Sequence, residues 1–205
     1  NFPIFRTNID TYRIMVDLIT FLDERLAPEE TLSGDLLVVY GKGVLLTGES
    51  GMGKSEIAME LVRDGQVLVA DDRVDVQKIH NNLFGHAPLL LKGMLEIRGI
   101  GIIDVERTFG ANKVVGRNKI DLVINLVRYD ASEEYERIGD EMTSFTRIMG
   151  VSVPAMVLPV SPGRSMCALI ETAVTNFILK EEGYNSTEAF KVRLHSELLR
   201  KNQGQ

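Results

Sequence analysis

The sequence predicts an α/β fold in which helices flank a mixed β-sheet. Residues 44–47 form a short apolar run, residues 48–55 read GESGMGKS, and residues 55–62 have helical spacing. The runs at 36–40 and 44–47 are joined by Gly41-Lys42-Gly43, which indicates a tight hairpin. The strand before the glycine-rich loop is therefore antiparallel to its sequence neighbour, as happens in a mixed sheet and not in an all-parallel one.

Hydrophobic periodicity predicts the remaining elements. Apolar residues at helical spacing indicate an entry helix over 8–27, which ends before Pro28. Further strands are predicted at 67–70, 74–79, 95–105, 120–127 and 152–160, and further helices at 165–180 and 186–201. Residues 129–150 are rich in charge, and they could form a mobile active-site segment or an ordinary solvated loop.

The composition favours one soluble domain in a reducing compartment. A chain of 205 residues can bury one well-packed core. The net charge of -6 argues against duplex nucleic acid as the main partner, because no basic stripe is available to neutralise phosphates. The single cysteine, Cys167, cannot form an internal disulfide, and we expect it to be a small buried residue on a helix. No apolar run approaches the roughly 18 residues of a membrane span, so we expect a cytoplasmic protein.

The stretch GESGMGKS matches Gly-x-x-x-x-Gly-Lys-Ser, the pattern of a phosphate-binding P-loop. Its glycines allow close backbone approach, Lys54 supplies a point charge, and Ser55 is a magnesium ligand. The following helix directs its free N–H groups at the anion. A glycine turn that happens to precede Lys-Ser is the alternative. The residues expected to bind a nucleoside triphosphate are Gly48, Glu49, Ser50, Gly51, Met52, Gly53, Lys54 and Ser55.

Asp71 and Asp72 end a buried strand next to the P-loop, where magnesium and a substrate hydroxyl would meet. Because successive strand side chains point to opposite faces, the two carboxylates cannot share one role if the extended geometry continues through both residues. One could accept the substrate proton while the other binds metal or water. An acidic turn that caps the strand is the structural alternative.

Glu96 and Arg98 lie two residues apart inside an apolar stretch, and so on one face of the predicted strand. Burying two charges is costly unless they are paired or face a ligand, so either a phosphate site or a structural ion pair is expected. The neighbouring Gly99-Ile100-Gly101 lacks the third glycine of a dinucleotide fingerprint, which excludes a Rossmann interpretation.

Two further groups of residues carry weaker signals. His80, His86 and His195 lack metal-ligand spacing and are expected at the surface or in turns. The segment Ser161-Pro162-Gly163-Arg164-Ser165 precedes a predicted helix. It could hold a phosphate through the helix N-terminus and Arg164, or it could be an ordinary turn and cap.

Five stretches together, GESGMGKSE, VADDRVDV, LEIRGIGIIDVERTFG, ERIGDE and PVSPGRS, resemble the C-terminal catalytic domain of bacterial HPr kinase/phosphorylase. The resemblance runs from about residue 30 to about residue 190, and residues 95–110 are similar to the family signature. It implies an ATP- and Mg²⁺-dependent kinase that phosphorylates a serine of HPr, the phosphocarrier of the sugar phosphotransferase system, and so regulates carbon catabolite repression. Inorganic phosphate would reverse the reaction and release pyrophosphate.

The same resemblance implies an architecture and an assembly. Residues 31–205 would form a P-loop kinase domain with a mixed sheet, similar to that of phosphoenolpyruvate carboxykinases. Residues 1–30 resemble the linker that follows a smaller N-terminal domain, which this chain would lack. The family forms hexamers, and a homohexamer is implied here.

The resemblance also assigns roles to individual residues. Asp71 matches the residue that acts as base on the serine hydroxyl and as acid in phosphorolysis, and Asp72 matches a second acid. The remaining roles are phosphoryl binding by Lys54, magnesium binding by Ser55 and Glu96, and neutralisation of phosphate charge by Arg98 and Arg137.

Two departures from the family pattern stand out. Ser33-Gly34 replaces a common His-Gly, and a hydroxyl cannot supply the charge or proton chemistry of an imidazole. Ser161-Pro162-Gly163-Arg164-Ser165 replaces a basic residue followed by Pro-Gly-Arg-Asn. The alternatives to a protein kinase are a P-loop kinase of a small hydroxyl compound and a non-catalytic, nucleotide-gated binding module.

Overall fold

The computed structural model describes residues 3–130, 144–161 and 163–203. The helices in these ranges are α1 (Thr11–Arg25), α2 (Lys54–Arg63), α3 (Val105–Phe109), α4 (Met166–Glu181) and α5 (Ser186–Gln203). The strands are β1 (Glu29–Ser33), β2 (Asp35–Val39), β3 (Lys42–Gly48), β4 (Val67–Ala70), β5 (Arg73–Ile79), β6 (Asn82–His86), β7 (Met94–Ile97), β8 (Gly101–Asp104), β9 (Asn118–Lys119), β10 (Leu122–Arg128), β11 (Ser144–Ile148) and β12 (Val151–Val160).

The central sheet is mixed, as predicted, with the strand order β11-β12-β10-β3-β2-β4. Strand β10 is parallel to both β12 and β3, whereas β2 is antiparallel to β3 and to β4. The hairpin turn lies at Tyr40 and Gly41, both of which have positive φ, and Lys42 and Gly43 already belong to β3. Left-handed conformation at both turn residues is what a two-residue hairpin of right-handed twist requires.

Both faces of the central sheet are buried, which makes it the middle of three layers. Helices α2 and α4 cover one face, where Leu37 and Leu46 pack with Ile57 and Ile170. A second sheet, ordered β1-β5-β6-β9, covers the other face. Cys167 lies in the helical layer with 3% of its surface exposed, which confirms the prediction of a small buried residue on a helix.

The prediction of one strand over 95–105 is wrong. The segment forms two short strands, β7 and β8, which pair antiparallel around a turn at 98–100. Gly99 and Gly101 have φ values of 81° and 103°, and the Ile100 N–H donates to the Ile97 carbonyl at 3.1 Å. Glycine reaches these conformations without the cost that a side chain would impose, so the chain reverses inside an apolar run.

The other predicted elements are confirmed with shifts of a few residues. Helix α1 begins at Thr11, after an Asp10 cap, and contains no buried residue. Helices α4 and α5 and the predicted strands at 67–70, 74–79, 120–127 and 152–160 are present. Most of the predicted loop at 129–150 lies outside the described residues, but 144–148 form β11. Within the described ranges, no helix combines the length and apolar character that crossing a bilayer requires.

Candidate active site

A cavity of about 660 Å³ lies between the glycine-rich loop, the end of β4 and the β7–β8 hairpin. The edge of the sheet at the carboxyl ends of its strands is where ligands of α/β folds bind. The cavity brings together the residues predicted from three separate stretches of sequence. Those that line it are Ser50, Gly51, Gly53, Lys54, Ser55, Asp71, Asp72, Glu96 and Arg98, with Glu56, Leu90, Leu91, Met94, Leu95 and Ile102.

The P-loop joins β3 to α2, and its backbone packs closely against β10. A Cβ on Gly48 would lie 2.5 Å from the Leu126 carbonyl oxygen, so only glycine fits there. Lys54 Nζ donates to the carbonyl oxygens of Gly48 and Glu49, at 3.1 and 3.2 Å. These bonds hold the ammonium group across the loop, where an incoming phosphate meets its positive charge.

Three P-loop residues predicted to bind nucleotide do not line the cavity with their side chains. Met52 is 8% exposed and packs inward, and the Glu49 carboxylate lies 3.7 Å from Arg128 Nε. Gly48 has no side chain. Their available contribution to phosphate binding is through the backbone, as in P-loops generally.

Asp71 is buried at the floor of the cavity and is hydrogen-bonded through both carboxylate oxygens. The Ser55 hydroxyl donates to Oδ1 at 2.8 Å, and the Glu96 backbone N–H donates to Oδ2 at 2.9 Å. Burial raises the pKa of Asp71 above its ordinary value, although the bonds from Glu96 and Ser55 act in the opposite direction. A carboxylate with a raised pKa is a stronger base for a hydroxyl proton.

Asp72 has a different environment from Asp71, although not for the predicted reason. Strand β4 ends at Ala70, and Asp72 adopts a left-handed conformation with φ of 59°. Its side chain is exposed at the rim of the cavity. The turn, and not the alternation of a continued strand, separates the two side chains.

Glu96 and Arg98 both line the cavity, but the expectation that they are buried on one face of a strand is wrong. Glu96 lies in β7 and Arg98 lies in the turn that follows, and both side chains are exposed. A Cβ on Gly51 would lie 3.6 Å from one terminal nitrogen of Arg98 and 3.7 Å from the other. The guanidinium therefore lies over the P-loop, where it can neutralise phosphate charge.

Asp35, the first residue of β2, was not predicted as a site residue. Its side chain is fully buried, and Oδ1 accepts a hydrogen bond from the Asp72 N–H at 3.0 Å. The available signal was a charged residue at the start of the apolar run Asp35-Leu36-Leu37-Val38-Val39. Such a residue is rarely fully buried without a specific partner.

Comparison with known proteins places this site in a family. The family profile described as the HPr serine kinase C-terminal domain matches residues 24–194. The chain belongs to this family. The match includes the P-loop, the acidic pair at the end of β4 and the β7–β8 hairpin.

Individual members of the HPr kinase family resemble the chain closely. A protein of Caldicellulosiruptor bescii described as HPr kinase/phosphorylase is 45% identical over 201 residues, which are 98% of this chain and 64% of that protein. One of Halalkalibacterium halodurans, with the same description, is 44% identical over 94% of this chain and 62% of its own length. The chain thus spans less than two thirds of these curated relatives.

A solved structure, that of the Hpr(Ser) kinase/phosphatase from Coxiella burnetii, has the same fold. It is 38% identical to this chain, with a TM-score of 0.71 over 78% of this chain and 98% of its own. The α/β fold with a mixed sheet, predicted from the hairpin and the P-loop, is therefore also the fold of a family member.

Several residues that the HPr kinase pattern singles out either lie outside the described residues or do not line the cavity. Arg137 lies outside the described residues. Ser33 is exposed at the end of β1 and does not line the cavity. Ser165 caps α4, where its Oγ accepts from the Ala168 N–H at 3.3 Å, so the turn-and-cap alternative describes this residue. Arg164 is exposed and also lies outside the cavity lining.

Of the three histidines, His80 and His195 lie in a turn and at the surface, as predicted, whereas His86 is a partly buried strand residue. His80 sits in the β5–β6 turn with φ of 55°, and its Nε2 lies 3.4 Å from the Asp23 carboxylate. His86 ends β6 and is partly buried, and His195 is exposed on α5. None of the three lines the cavity.

Proposed function

We infer that this chain is the catalytic domain of an HPr kinase/phosphorylase, which transfers the γ-phosphoryl group of ATP to a serine hydroxyl of HPr. The observation that carries the inference is the 2.8 Å hydrogen bond from Ser55 of the P-loop to Asp71. It brings a phosphate-binding loop and a buried carboxylate into one cavity, which Lys54 and Arg98 also line. Phosphoryl transfer needs mainly such positioning and charge stabilisation.

In the kinase direction, Asp71 takes the proton of the serine hydroxyl. The serine oxygen forms a bond to the γ-phosphorus while the bond between that phosphorus and the ADP oxygen breaks. Lys54 and Arg98 compensate the charge on the transferring group, and Arg137 is proposed to join them. Asp72, at the rim of the cavity, is proposed as the second acid beside the incoming serine.

In the reverse direction, inorganic phosphate takes the place of ADP. A phosphate oxygen bonds to the phosphorus of the phosphoserine, the bond to the serine oxygen breaks, and the products are serine and pyrophosphate. Asp71, now protonated, gives its proton to the departing serine oxygen. One carboxyl group thus serves both directions by changing its protonation state.

The residues present fit a magnesium ion bound together with the nucleotide. Ser55 uses its proton to bond Asp71, so the lone pairs of its Oγ remain free for a cation, and the Glu96 carboxylate is exposed to the cavity. Among the described residues, no three His, Cys, Asp or Glu side chains cluster as a metal site. A sparse donor set is what Mg²⁺ uses when phosphates and waters complete its shell. When bound, the ion neutralises charge developing on the phosphates.

Exposed apolar residues beside the cavity favour a protein acceptor over a small hydroxyl compound. Leu89 and Leu90 are 93% and 87% exposed, and Ile100 and Ile102 are each 71% exposed. They lie on the two segments that border the cavity, one before β7 and one along the β7–β8 hairpin. Grouped apolar residues around a polar site are typical of a surface that binds another protein.

The larger context of the domain is proposed on the same basis. Residues 1–30 are proposed as the linker that follows a smaller N-terminal domain. The exposed apolar side chains of α1, which include Tyr12, Met15 and Ile19, support a helix that packs against another domain or subunit. We propose a cytoplasmic homohexamer that acts in carbon catabolite repression, with HPr as its partner.

The test is incubation of the chain with magnesium, γ-labelled ATP and purified HPr, followed by excess inorganic phosphate. The expected result is label on a serine of HPr, which then leaves as pyrophosphate. Label that stays would indicate a kinase without effective reversal, and Ser33 would be the first residue to replace with histidine. Transfer to free serine or a sugar but not to HPr would support the small-molecule alternative. Bound ATP without turnover would support the nucleotide-gated module.

A further inference from the structure

The pairing of β2 with β4 places Asp35 opposite Asp71. In this antiparallel pair Leu36 lies opposite Ala70, and the Gly34 N–H donates to the Asp72 carbonyl at 3.1 Å. Asp35 and Asp71 are the residues between these two contacts. Side chains that lie opposite each other in an antiparallel pair have Cβ atoms about 5 Å apart and point to the same face.

Two carboxyl groups are therefore buried side by side. Asp35 is fully buried, and Asp71 is 6% exposed. Asp35 Oδ1 accepts from the Asp72 N–H, but Oδ2 is buried and no donor in the described part of the chain reaches it. Like charges directly opposite each other in a sheet are unfavourable, and an unsatisfied buried carboxylate oxygen is more so. A proton on Asp35 Oδ2 that is hydrogen-bonded to Asp71 removes both the repulsion between like charges and the unsatisfied oxygen.

We propose that Asp35 is a positioning residue, whose neutral carboxyl group donates one hydrogen bond to Asp71 and accepts one from the Asp72 N–H. It would fix the Asp71 carboxylate to the turn that ends β4. The role of Asp35 in transfer rests on the proposed function, because only then is Asp71 the base.

The charges around Asp35 agree with a group that is neutral below about pH 7. Its pKa is raised to about 7, first by burial and then by the negative charge of Asp71. The Asp72 N–H and the positive charge of Lys54 act in the opposite direction and do not outweigh these two effects. The hydrogen bond to Asp71 raises the pKa of Asp35 further, as donation from Asp35 requires.

The arrangement holds Asp71 from three sides. Ser55 comes from α2, Glu96 from β7 and Asp35 from β2, so three separate elements orient one carboxylate. Misplacement of a reacting group by about 1 Å can reduce a rate about a hundredfold. Loss of the Asp35 contact is therefore expected to reduce kcat and to leave nucleotide binding nearly unchanged.

The experiment compares Asp35→Asn with Asp35→Leu in the full chain. Asparagine can donate through its Nδ2 and accept through its Oδ1, so it reproduces both bonds, whereas leucine makes neither. We expect Asp35→Asn to keep kcat for HPr phosphorylation within about threefold of wild type, and Asp35→Leu to lower it at least about tenfold. The KM for ATP should change by less than about twofold in both variants.

A matched control separates positioning from stability. Asp75 is also buried, at 8% exposure, but its carboxylate bonds Thr31 and Arg73 outside the cavity. Asp75→Leu should lower the Tm and leave kcat unchanged. A wild-type kcat in a folded Asp35→Leu chain would overturn the proposal, and so would a loss in Asp35→Asn as large as in Asp35→Leu. If Asp35→Leu does not fold, Asp35→Asn decides alone, because a tenfold loss there contradicts the proposal.

Amide hydrogen exchange tests the geometry without any activity. In nucleotide-free protein, the Asp72 N–H should be protected in wild type and Asp35→Asn and should exchange at least about tenfold faster in Asp35→Leu. Equal protection in all three would overturn the proposed contact. Absence of transfer to HPr by the wild type, with the expected exchange pattern, would refute the proposed function and leave the hydrogen bonds of Asp35 established.

Discussion

At Asp71, burial and hydrogen bonding act on one carboxyl group in opposite directions. Burial raises the pKa, and the donors at Ser55 and Glu96 lower it, with a raised pKa as the net result. The group is thus a stronger base than an exposed aspartate, and the two donors fix its direction. These two properties, and not the negative charge alone, distinguish it from the exposed Asp72.

Asp71→Asn should abolish phosphoryl transfer while ATP still binds. The amide cannot take the proton of the serine hydroxyl, but it keeps the size of the side chain, so the P-loop should hold its shape. We expect a fall in kcat of at least about a hundredfold, with ATP affinity within about threefold. The measurements are steady-state transfer to HPr and equilibrium binding of ATP.

Asp75→Asn is the control for this change, because it makes the same chemical replacement at a buried aspartate outside the cavity. It should leave kcat unchanged. Retention of more than about a tenth of wild-type transfer in Asp71→Asn would contradict the role of Asp71 as base.

Cys167 has an environment that suppresses its reactivity. Burial raises the pKa of its thiol to about 12, and the carboxylate of Glu60, 3.1 Å from Sγ, acts in the same direction. Since the thiolate is the reactive form, the native protein should not react with iodoacetamide at about pH 8 on a timescale of minutes. Mass spectrometry should show labelling only after urea is added. Rapid labelling of the native chain would contradict the burial of this helix face.

At the scale of elements, the backbones of the central sheet and the second sheet come very close to each other at Gly43 in β3. A Cβ at this position would lie 1.7 Å from the carbonyl oxygen of Lys119 in β9. Gly43→Ala should therefore push β9 away from β3 and lower the free energy of unfolding by about 3 kcal/mol or more. Urea denaturation, followed by circular dichroism, measures this change.

Gly65→Ala is the comparison for Gly43→Ala. Gly65 has φ of 120°, and no atom lies within 4 Å of the position of its Cβ. The substitution should lower the free energy of unfolding only by the backbone strain, on the order of 1 kcal/mol. Equal losses in the two variants would show that contact with β9 does not set the cost at Gly43.

The elements that could be predicted from the sequence are those with local signals. The hairpin of β2 and β3, the P-loop and α4 each combine a periodic apolar pattern with a turn or cap residue in the same stretch. The break between β7 and β8 was missed because Ile97, Ile100 and Ile102 continue an apolar pattern across it. Gly99 and Gly101 indicated a turn, but the apolar pattern favoured one continuous strand.

At the scale of the whole molecule, the buried Asp35 makes stability depend on pH. Its pKa is raised from the ordinary value of 3.8 to about 7, so between these values the native state binds more protons than the unfolded state. The stabilisation is present in full below about pH 4 and is lost as the pH rises through about 7. Asp71, with its raised pKa, contributes in the same direction.

Urea unfolding of wild type and Asp35→Asn at about pH 5 and about pH 8 tests this linkage. Wild type should lose about 2 to 3 kcal/mol more than the variant over this range, because asparagine does not titrate. The charged groups that act on Asp35, namely Asp71 and Lys54, are present in both proteins, and their own titration cancels in the comparison to first order. An equal loss in both proteins would contradict the raised pKa of Asp35.

Part of the site could be predicted, because some of its residues lie close together in the sequence. Others come together only in the folded chain. Lys54 and Ser55 belong to one motif, and Asp71 follows the next strand, so their roles could be inferred from neighbouring sequence. The proximity of Asp35 to Asp71 arises from the pairing of β2 with β4, which a single sequence does not specify. Glu96 could be named as a cavity residue, but the bond from its backbone N–H to Asp71 depends on how the β7–β8 hairpin packs.

The two bonds that Asp71 accepts from Ser55 and Glu96 also restrict what can reach it. A carboxylate offers about four lone-pair directions; these donors occupy one on each oxygen, and the proposed bond from Asp35 takes a third. An incoming hydroxyl must use a direction that remains, so its angle of approach is fixed before it arrives. A serine on a rigid surface can satisfy that angle only when the whole surface is correctly oriented. The site would then select its substrate by the direction from which the hydroxyl approaches Asp71, without needing a pocket shaped to the serine side chain.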